Sequence, residues 1–223
     1  MKICVVIPSY NESKEISNIV SQIKTLGHAV VIVDDGSSDD TAQIAEAGGA
    51  VVLRNQSNLG KGASLIKGFD YALGGDFEAV VAMDGDGQHL TEDISRFIAQ
   101  AKSSEAALFV GNRMGQAKSM PMVRYLTNAF MSWLISELIR QRVPDTQCGF
   151  RLIKIWLLRR LKLTTTNYEI ESEMLIKASR LGAKIESVPI HAIYRGAKSQ
   201  INPFVDTVRF VIFLAREIWI LRS

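Results

Sequence analysis

The stretch Ala79-Val80-Val81-Ala82-Met83-Asp84-Gly85-Asp86-Gly87-Gln88-His89 decides the fold class. Its opening run of small and β-branched apolar residues reads as a buried strand. The run ends in two carboxylates spaced i, i+2, with a glycine after each. Residues two apart point the same way from an extended backbone, so Asp84 and Asp86 can converge on one hard cation. Gln88 keeps the same parity and offers a further oxygen, directly or through water. The glycines remove side chains that would hold a large ligand off the backbone. The carboxyl end of a central strand is where an open α/β sheet holds a ligand.

Two other readings compete for this stretch. Asp-Gly is common turn chemistry and needs no ligand. A helix-loop-helix calcium site, D-x-D-x-[DN]-G-x5-E, requires glycine sixth and glutamate twelfth. The chain places His89 and Ser95 at those positions, and a strand precedes the motif where that template needs a helix. The calcium loop fails.

Working outward, the N-terminal half alternates strand and helix patterns. Ile3 to Ile7, Ala29 to Val33, Ala50 to Leu53 and Ala106 to Val110 read as further strands. Between them, Ile16, Ile19, Val20 and Ile23 recur at helical spacing, with Asn11 or Ser13 available as a cap. Thr41 to Glu46 is a short helix, and Leu65, Ile66, Phe69 and Leu73 belong to another. Thr91 is the expected N-cap of a helix reaching Lys102. Such alternation predicts a mainly parallel sheet covered by helices on both faces. Three of its strands end in polar clusters, at Ser9-Tyr10, Asp34-Asp35 and Asp84-Asp86. In a parallel sheet those ends share one edge and form one crevice. Gly60-Lys61-Gly62 opens a helix nearby, but a nucleotide P-loop needs glycine at position 55 and a hydroxyl residue at position 62, where Asn55 and Gly62 stand. A helix start carrying Lys61 near a phosphate remains reasonable.

After Gly111 the pattern changes. Pro121 to Ile139 reads as a long, mostly apolar helix with Arg124 near its start. Asp145 to Arg151 reads as a polar loop, Ile155 to Leu161 as a helical turn or two, Tyr168 to Leu181 as a helix with Glu169, Glu171 and Glu173, and Lys184 to Ile190 as a strand. Residues 1–200 are expected to form one domain, and 201–223 a C-terminal amphipathic helix. The 223 residues carry a formal charge of only +3, unevenly spread. Through Gly111 there are 8 Lys/Arg against 15 Asp/Glu, and afterwards 18 against 8. An acidic half suits a metal site and a basic half suits an anionic partner, phosphate or membrane surface. The basic residues alternate with apolar helix faces and no recognition module appears, so nucleic acid is not expected as a partner. Cys4 and Cys148 show no metal or redox spacing and are expected to be reduced thiols of a cytoplasmic protein. The first strand begins at Ile3, so no signal sequence is expected. No stretch reaches the ~20 apolar residues that span a bilayer; Phe204 to Ile220 is broken by Asp206, Arg209, Arg216 and Glu217.

Taken together, Pro8-Ser9-Tyr10-Asn11-Glu12, Val33 to Asp39, Asn58 to Gly62 and Asp84 to His89 stand in the order found in family 2 glycosyltransferases. The chain resembles their dolichol- or polyprenyl-phosphate mannosyl/glucosyltransferase branch in particular. Gly111-Asn112-Arg113, Asp145 to Phe150 and Tyr194 to Ser199 extend the likeness into the C-terminal half. The resemblance implies a Rossmann-like GT-A fold and inverting transfer of a hexose from a UDP- or GDP-sugar. It implies that Pro8, Tyr10, Glu12 and Asp35 line the nucleoside pocket and that Asp84, Asp86 and Gln88 hold Mg²⁺ or Mn²⁺ against the diphosphate. Arg113 and Arg124, with Asn128 one turn beyond, are expected to grip the acceptor's phosphate. Arg195 and Lys198 are expected to reach the donor diphosphate.

A lipid-phosphate acceptor has a second pKa of about 6 and is largely a dianion near neutral pH, so it needs no general base. A sugar-hydroxyl acceptor would want one, and Asp145 is the candidate. Three functions are therefore expected in order: a polyprenyl-phosphate sugar transferase, peripheral at the cytoplasmic face of the membrane; a transferase acting on a glycan hydroxyl; and a non-catalytic subunit that binds nucleotide sugar. Pro203 to Leu221 is expected either to lie in the membrane interface or to pack on the domain or a second subunit.

Overall fold

The computed structural model describes residues 1–115, 122–191, 193 and 209–217. Strands β1 (Ile3–Ser9), β2 (Ala29–Asp34), β3 (Val51–Arg54), β4 (Ala79–Ala82), β5 (Leu108–Asn112), β6 (Arg151–Lys154) and β7 (Ile185–Pro189) form one sheet in the order β3-β2-β1-β4-β6-β5-β7. β1 pairs in parallel with β2 and β4, β2 with β3, and β5 with β7. β6 runs antiparallel to both β4 and β5, so it alone is reversed. Every residue of β4 is buried, as are Ile3 through Ile7 of β1. Successive strand residues face opposite sides, so both faces of the sheet centre are covered.

Around the sheet lie α1 (Ser13–Thr25), α2 (Thr41–Ala47), α3 (Lys61–Leu73), α4 (Asp93–Ser103), α5 (Met122–Ile139), α6 (Ile155–Leu158) and α7 (Ile170–Arg180). α1 buries Ile16, Ile19, Val20 and Ile23, the stripe expected from their spacing. Its first turn has no side-chain cap of its own. Instead, Thr41 Oγ1 accepts from the Glu12 N–H at 2.9 Å and Asp39 Oδ2 from that of Ser13 at 3.2 Å. Asn11, expected as a cap, accepts from the Ser38 N–H. α4 begins at Asp93, not at Thr91. Thr91 donates its hydroxyl to Gln22 Oε1 at 2.7 Å and so ties the loop to α1 rather than capping α4.

The reversed strand is the larger correction. Arg151 to Lys154 is only four residues long, opens with a charge and runs directly into α6, so sequence alone placed it between a loop and a helix. Its register opposes Arg151 to Ala82 and Lys154 to Ala79. β6 therefore starts at the carboxyl edge of β4 and delivers the loop before it to that edge. The segment 209–217 buries Phe210, Phe213 and Leu214 and is tied to α7 through Arg180, whose Nη1 lies 2.5 Å from Glu217 Oε2. Of the two expectations for the C-terminal segment, this portion packs on the domain.

Close approach of α3 to the sheet depends on Gly68, where a Cβ would run into Val6 Cγ1 and lie 3.0 Å from Val33 Cγ2. Alanine gains about 1 kcal/mol of helix propensity, but overpacking typically costs about 1–3 kcal/mol. Gly68→Ala is expected to lower stability by about 1 kcal/mol, read as a reduced urea midpoint with unchanged slope; a higher midpoint would show that the interface yields freely.

Candidate active site

Parallel pairing brings the ends of β1, β2 and β4 to one edge, as their polar clusters require. The Asp35 N–H donates to Ser9 O at 2.8 Å, and the Asn11 N–H to Ser37 Oγ at 2.9 Å. Asp35 is buried, and both its oxygens are engaged. Oδ1 accepts from Leu59 N and Asn55 Nδ2 at 2.9 and 2.8 Å, and Oδ2 from Gly60 N at 2.9 Å. Its carboxylate thus shapes the crevice wall by fixing the loop that enters α3. Pro8, Tyr10 and Glu12 are half-buried on the neighbouring wall. Glu12 is pushed up to about 7 by burial and then by the charges of Asp86, Asp39, Glu15 and Asp84.

Asp84 sits at the centre of the crevice. Lys61, the first residue of α3, places Nζ 2.5 Å from Asp84 Oδ1 and 2.6 Å from Glu171 Oε1 at the start of α7. Burial disfavours the Asp84 charge, but Lys61 and the His89 ring, 3.7 Å from Oδ2, outweigh it and hold the carboxyl well below its ordinary range. Asp86 shifts the other way, raised by burial and by Asp84. Gln88 braces it, donating its backbone N–H to Oδ1 at 3.0 Å and Nε2 to Oδ2 at 2.7 Å. Gly149, delivered by the reversed strand, lies against Asp84: a Cβ there would come 2.5 Å from Asp84 Oδ2 and 2.8 Å from Lys61 Nζ.

Among the described residues, no three or more His, Cys, Asp or Glu are grouped to hold a metal ion. The pair Asp84 and Asp86 nevertheless fits a hard cation. Both are oxygen donors, and burial together with mutual repulsion among Asp84, Asp86 and Glu12 disfavours the charges that a cation there would offset. Mg²⁺ is characteristically held by one or two carboxylates, with substrate phosphates and water completing its shell.

A second group faces the same edge. Arg113 is buried against Asp145 in a two-pronged pair, Nε to Oδ2 at 2.7 Å and Nη2 to Oδ1 at 2.9 Å. Asp145, the expected general base, has no exposed surface and is committed to Arg113. Asn128 is buried on α5 one turn before Ser132, whose Oγ accepts from the Thr146 N–H at 2.9 Å. Arg124 lies in the first turn of α5. Arg195 and Lys198 lie outside the described residues; Ile193 donates its N–H to Gln88 O at 2.9 Å, so the chain is fastened to the Asp84–Gln88 loop two residues before Arg195.

Three residues given no role from sequence prove structural to this site. Arg151 is 1% exposed and donates to Cys148 O, Thr146 O and Glu171 O. Glu171 holds Lys61. Glu173, drawn down to about 2 despite burial by Lys177 and by hydrogen bonds from Thr165 and Thr164, fixes the loop that packs against Gly60 and Gly62. Glutamates at positions 169, 171 and 173, at and just inside the start of α7, give no sequence signal of which way each faces.

A family model described as glycosyl transferase family 2 matches residues 4–164. Among curated relatives, the UDP-N-acetylglucosamine–dolichyl-phosphate N-acetylglucosaminyltransferase of Methanococcus voltae is 31% identical over 217 residues, covering 86% of each chain. The polyprenol monophosphomannose synthase of Mycolicibacterium smegmatis is 28% identical over 203 residues, covering 83% of this chain and 75% of its own. Glucosyl-3-phosphoglycerate synthase from Mycobacterium tuberculosis, crystallised with Mn²⁺, UDP and phosphoglyceric acid, superposes with a TM-score of 0.71 at 21% identity, over 97% of this chain and 77% of that one. At that identity the likeness bears on the fold, which is GT-A.

The raised carboxyl of Glu12 makes a prediction for the metal-free protein. The folded state holds this proton more tightly than the unfolded chain, so its stabilising contribution is complete below pH 4.5 and lost as pH rises to about 7. Stability in EDTA is expected to fall across that window, and Glu12→Gln to flatten the fall by up to about 3 kcal/mol. Urea midpoints at both ends of the window measure it; equal slopes for the two proteins would contradict it.

Proposed function

The chain belongs to glycosyl transferase family 2 and is a glycosyltransferase enzyme, and on that premise we propose that it moves a hexose from a UDP- or GDP-sugar to a polyprenyl phosphate. The observation that carries this reading is the meeting of two groups at one sheet edge: the Asp84–Asp86 pair with its acidic surround, and Arg113 with Asn128. The relatives from M. voltae and M. smegmatis, by their names, handle dolichyl and polyprenol phosphates.

In this reading Asp84 and Asp86 hold Mg²⁺ or Mn²⁺, with Gln88 keeping Asp86 oriented. The cation supplies charge stabilisation for the departing diphosphate. Pro8, Tyr10 and Glu12 line the nucleoside's place, with Asp35 fixing the loop beside it. Lys61, Arg195 and Lys198 bring positive charge to the donor's phosphates, and Arg113, Arg124 and Asn128 orient the acceptor. A phosphomonoester near neutral pH is largely dianionic and attacks without losing a proton to the protein. The commitment of Asp145 to Arg113 favours such an acceptor over a hydroxyl, because the candidate base is occupied.

A lipid acceptor calls for a surface that meets the membrane. No helix among the described residues is long and apolar enough to cross one. α5, however, turns Asn128, Ser132, Ile135 and Ile139 inward and leaves Val123, Leu126, Phe130 and Trp133 exposed, at spacings of three, four and three. That outer apolar face adjoins the Arg113–Asn128 side of the crevice and suits peripheral contact at the inner membrane face. In this reading residues 1–200 are the catalytic unit and 201–223 an extension, of which 209–217 pack on the domain.

The test is radiolabel transfer from a panel of UDP- and GDP-sugars to short-chain polyprenyl phosphate, with Mn²⁺ or EDTA, beside Asp86→Ala. Organic-extractable label that requires both the cation and Asp86 is expected, with loss of at least about a hundredfold in the variant. Label on a glycan acceptor and none on lipid would replace the proposed acceptor, and donor binding without any transfer would overturn the reading.

A further inference from the structure

The ion pairs of Lys61 place a monovalent cation on the carboxylate assigned to a divalent one. Its ammonium lies 2.5 Å from Asp84 Oδ1 and 2.6 Å from Glu171 Oε1, and its side chain is 14% exposed. The two carboxylates come from different elements, β4's carboxyl loop and α7, and both are largely shielded from solvent. An ammonium has three donors and no fixed fork, so it can release one partner and keep another. A divalent cation on Asp84 would repel Lys61 from that oxygen, whereas Glu171 does not depend on the metal. A diphosphate entering beside the cation brings fresh negative charge to the same place.

We propose that Lys61 is an exchangeable counter-ion of Asp84: in the metal-free protein it stands where the divalent cation's charge belongs, and on loading it is retained by Glu171 and turned toward the donor's diphosphate. This rests on Asp84 being a metal ligand. The consequence is reciprocal coupling, in which nucleotide strengthens metal binding and metal strengthens nucleotide binding by the same factor. Metal alone must displace Lys61 without compensation, while metal with nucleotide offers the ammonium a new partner. Glu171 is a positioning residue in this scheme, because it decides how firmly Asp84 is held when the cation is absent.

Titration of the full-length protein with Mn²⁺, followed by the electron paramagnetic resonance signal of free Mn²⁺, tests this with UDP or GDP present or absent. In the wild type, nucleotide is expected to tighten Mn²⁺ binding. Lys61→Met is expected to tighten binding of Mn²⁺ alone by about tenfold and to shrink the nucleotide effect. Glu171→Gln leaves Lys61 to Asp84 alone and is expected to weaken binding of Mn²⁺ alone severalfold. A merely structural role would weaken binding in both variants, so opposite signs support the exchange. Unchanged or weaker Mn²⁺ binding in Lys61→Met would overturn it while leaving the metal site standing. Asp84→Asn should abolish binding, and a wild type that binds no Mn²⁺ with or without nucleotide would overturn the metal assignment as well.

Discussion

A guanidinium with almost no access to water must find a partner for each of its nitrogens, and Arg151 meets that demand with three backbone carbonyls. Two of them, on Thr146 and Cys148, belong to the loop before β6; the third, on Glu171, belongs to the first turn of α7. One side chain thereby ties the reversed strand, the loop it delivers and the helix that supplies the Lys61 partner. Around that knot, Gly149 comes against Asp84, Thr146 meets Ser132 of α5, and Asp145 reaches Arg113. The Asp84 and Arg113 sides of the crevice are joined through this one strand start.

Charge is unevenly distributed across the crevice. On the β1–β2–β4 side, Glu12 and Asp86 are raised first by burial and then by acidic neighbours. At the centre, Asp84 is lowered because Lys61 stands on it. On the β5–α5 side, Arg113 and Asp145 neutralise one another. In the proposed reading, the acidic side takes the cation and with it the diphosphate, and Arg113, held by Asp145, faces the acceptor phosphate.

Much of this edge was legible in the sequence. The apolar runs of β1, β2 and β4 each stop at a polar cluster, and the spacing of Asp84 and Asp86 follows from strand parity, so the crevice was readable before any coordinates. What was hidden depends on contacts distant in sequence. β6 carries no alternation and opens with arginine, a residue that reads as solvated unless its burial is known. Asp145 looked like a free base because only the fold brings Arg113 to it. Thr91 looked like a cap because local chemistry favours it, but Gln22 claims its hydroxyl from 69 positions away. Glu171 could not be separated from Glu169 and Glu173 until α7 was oriented against α3.

In the proposed reading the carboxyl ends of β1, β2 and β4 build one cation-and-diphosphate site around Asp84 and Asp86. Anomalous scattering from crystals grown with Mn²⁺ and a nucleoside diphosphate tests it most directly. One strong manganese peak touching both carboxylates and the diphosphate oxygens is expected. A peak elsewhere, or a nucleotide bound away from this edge, would contradict it.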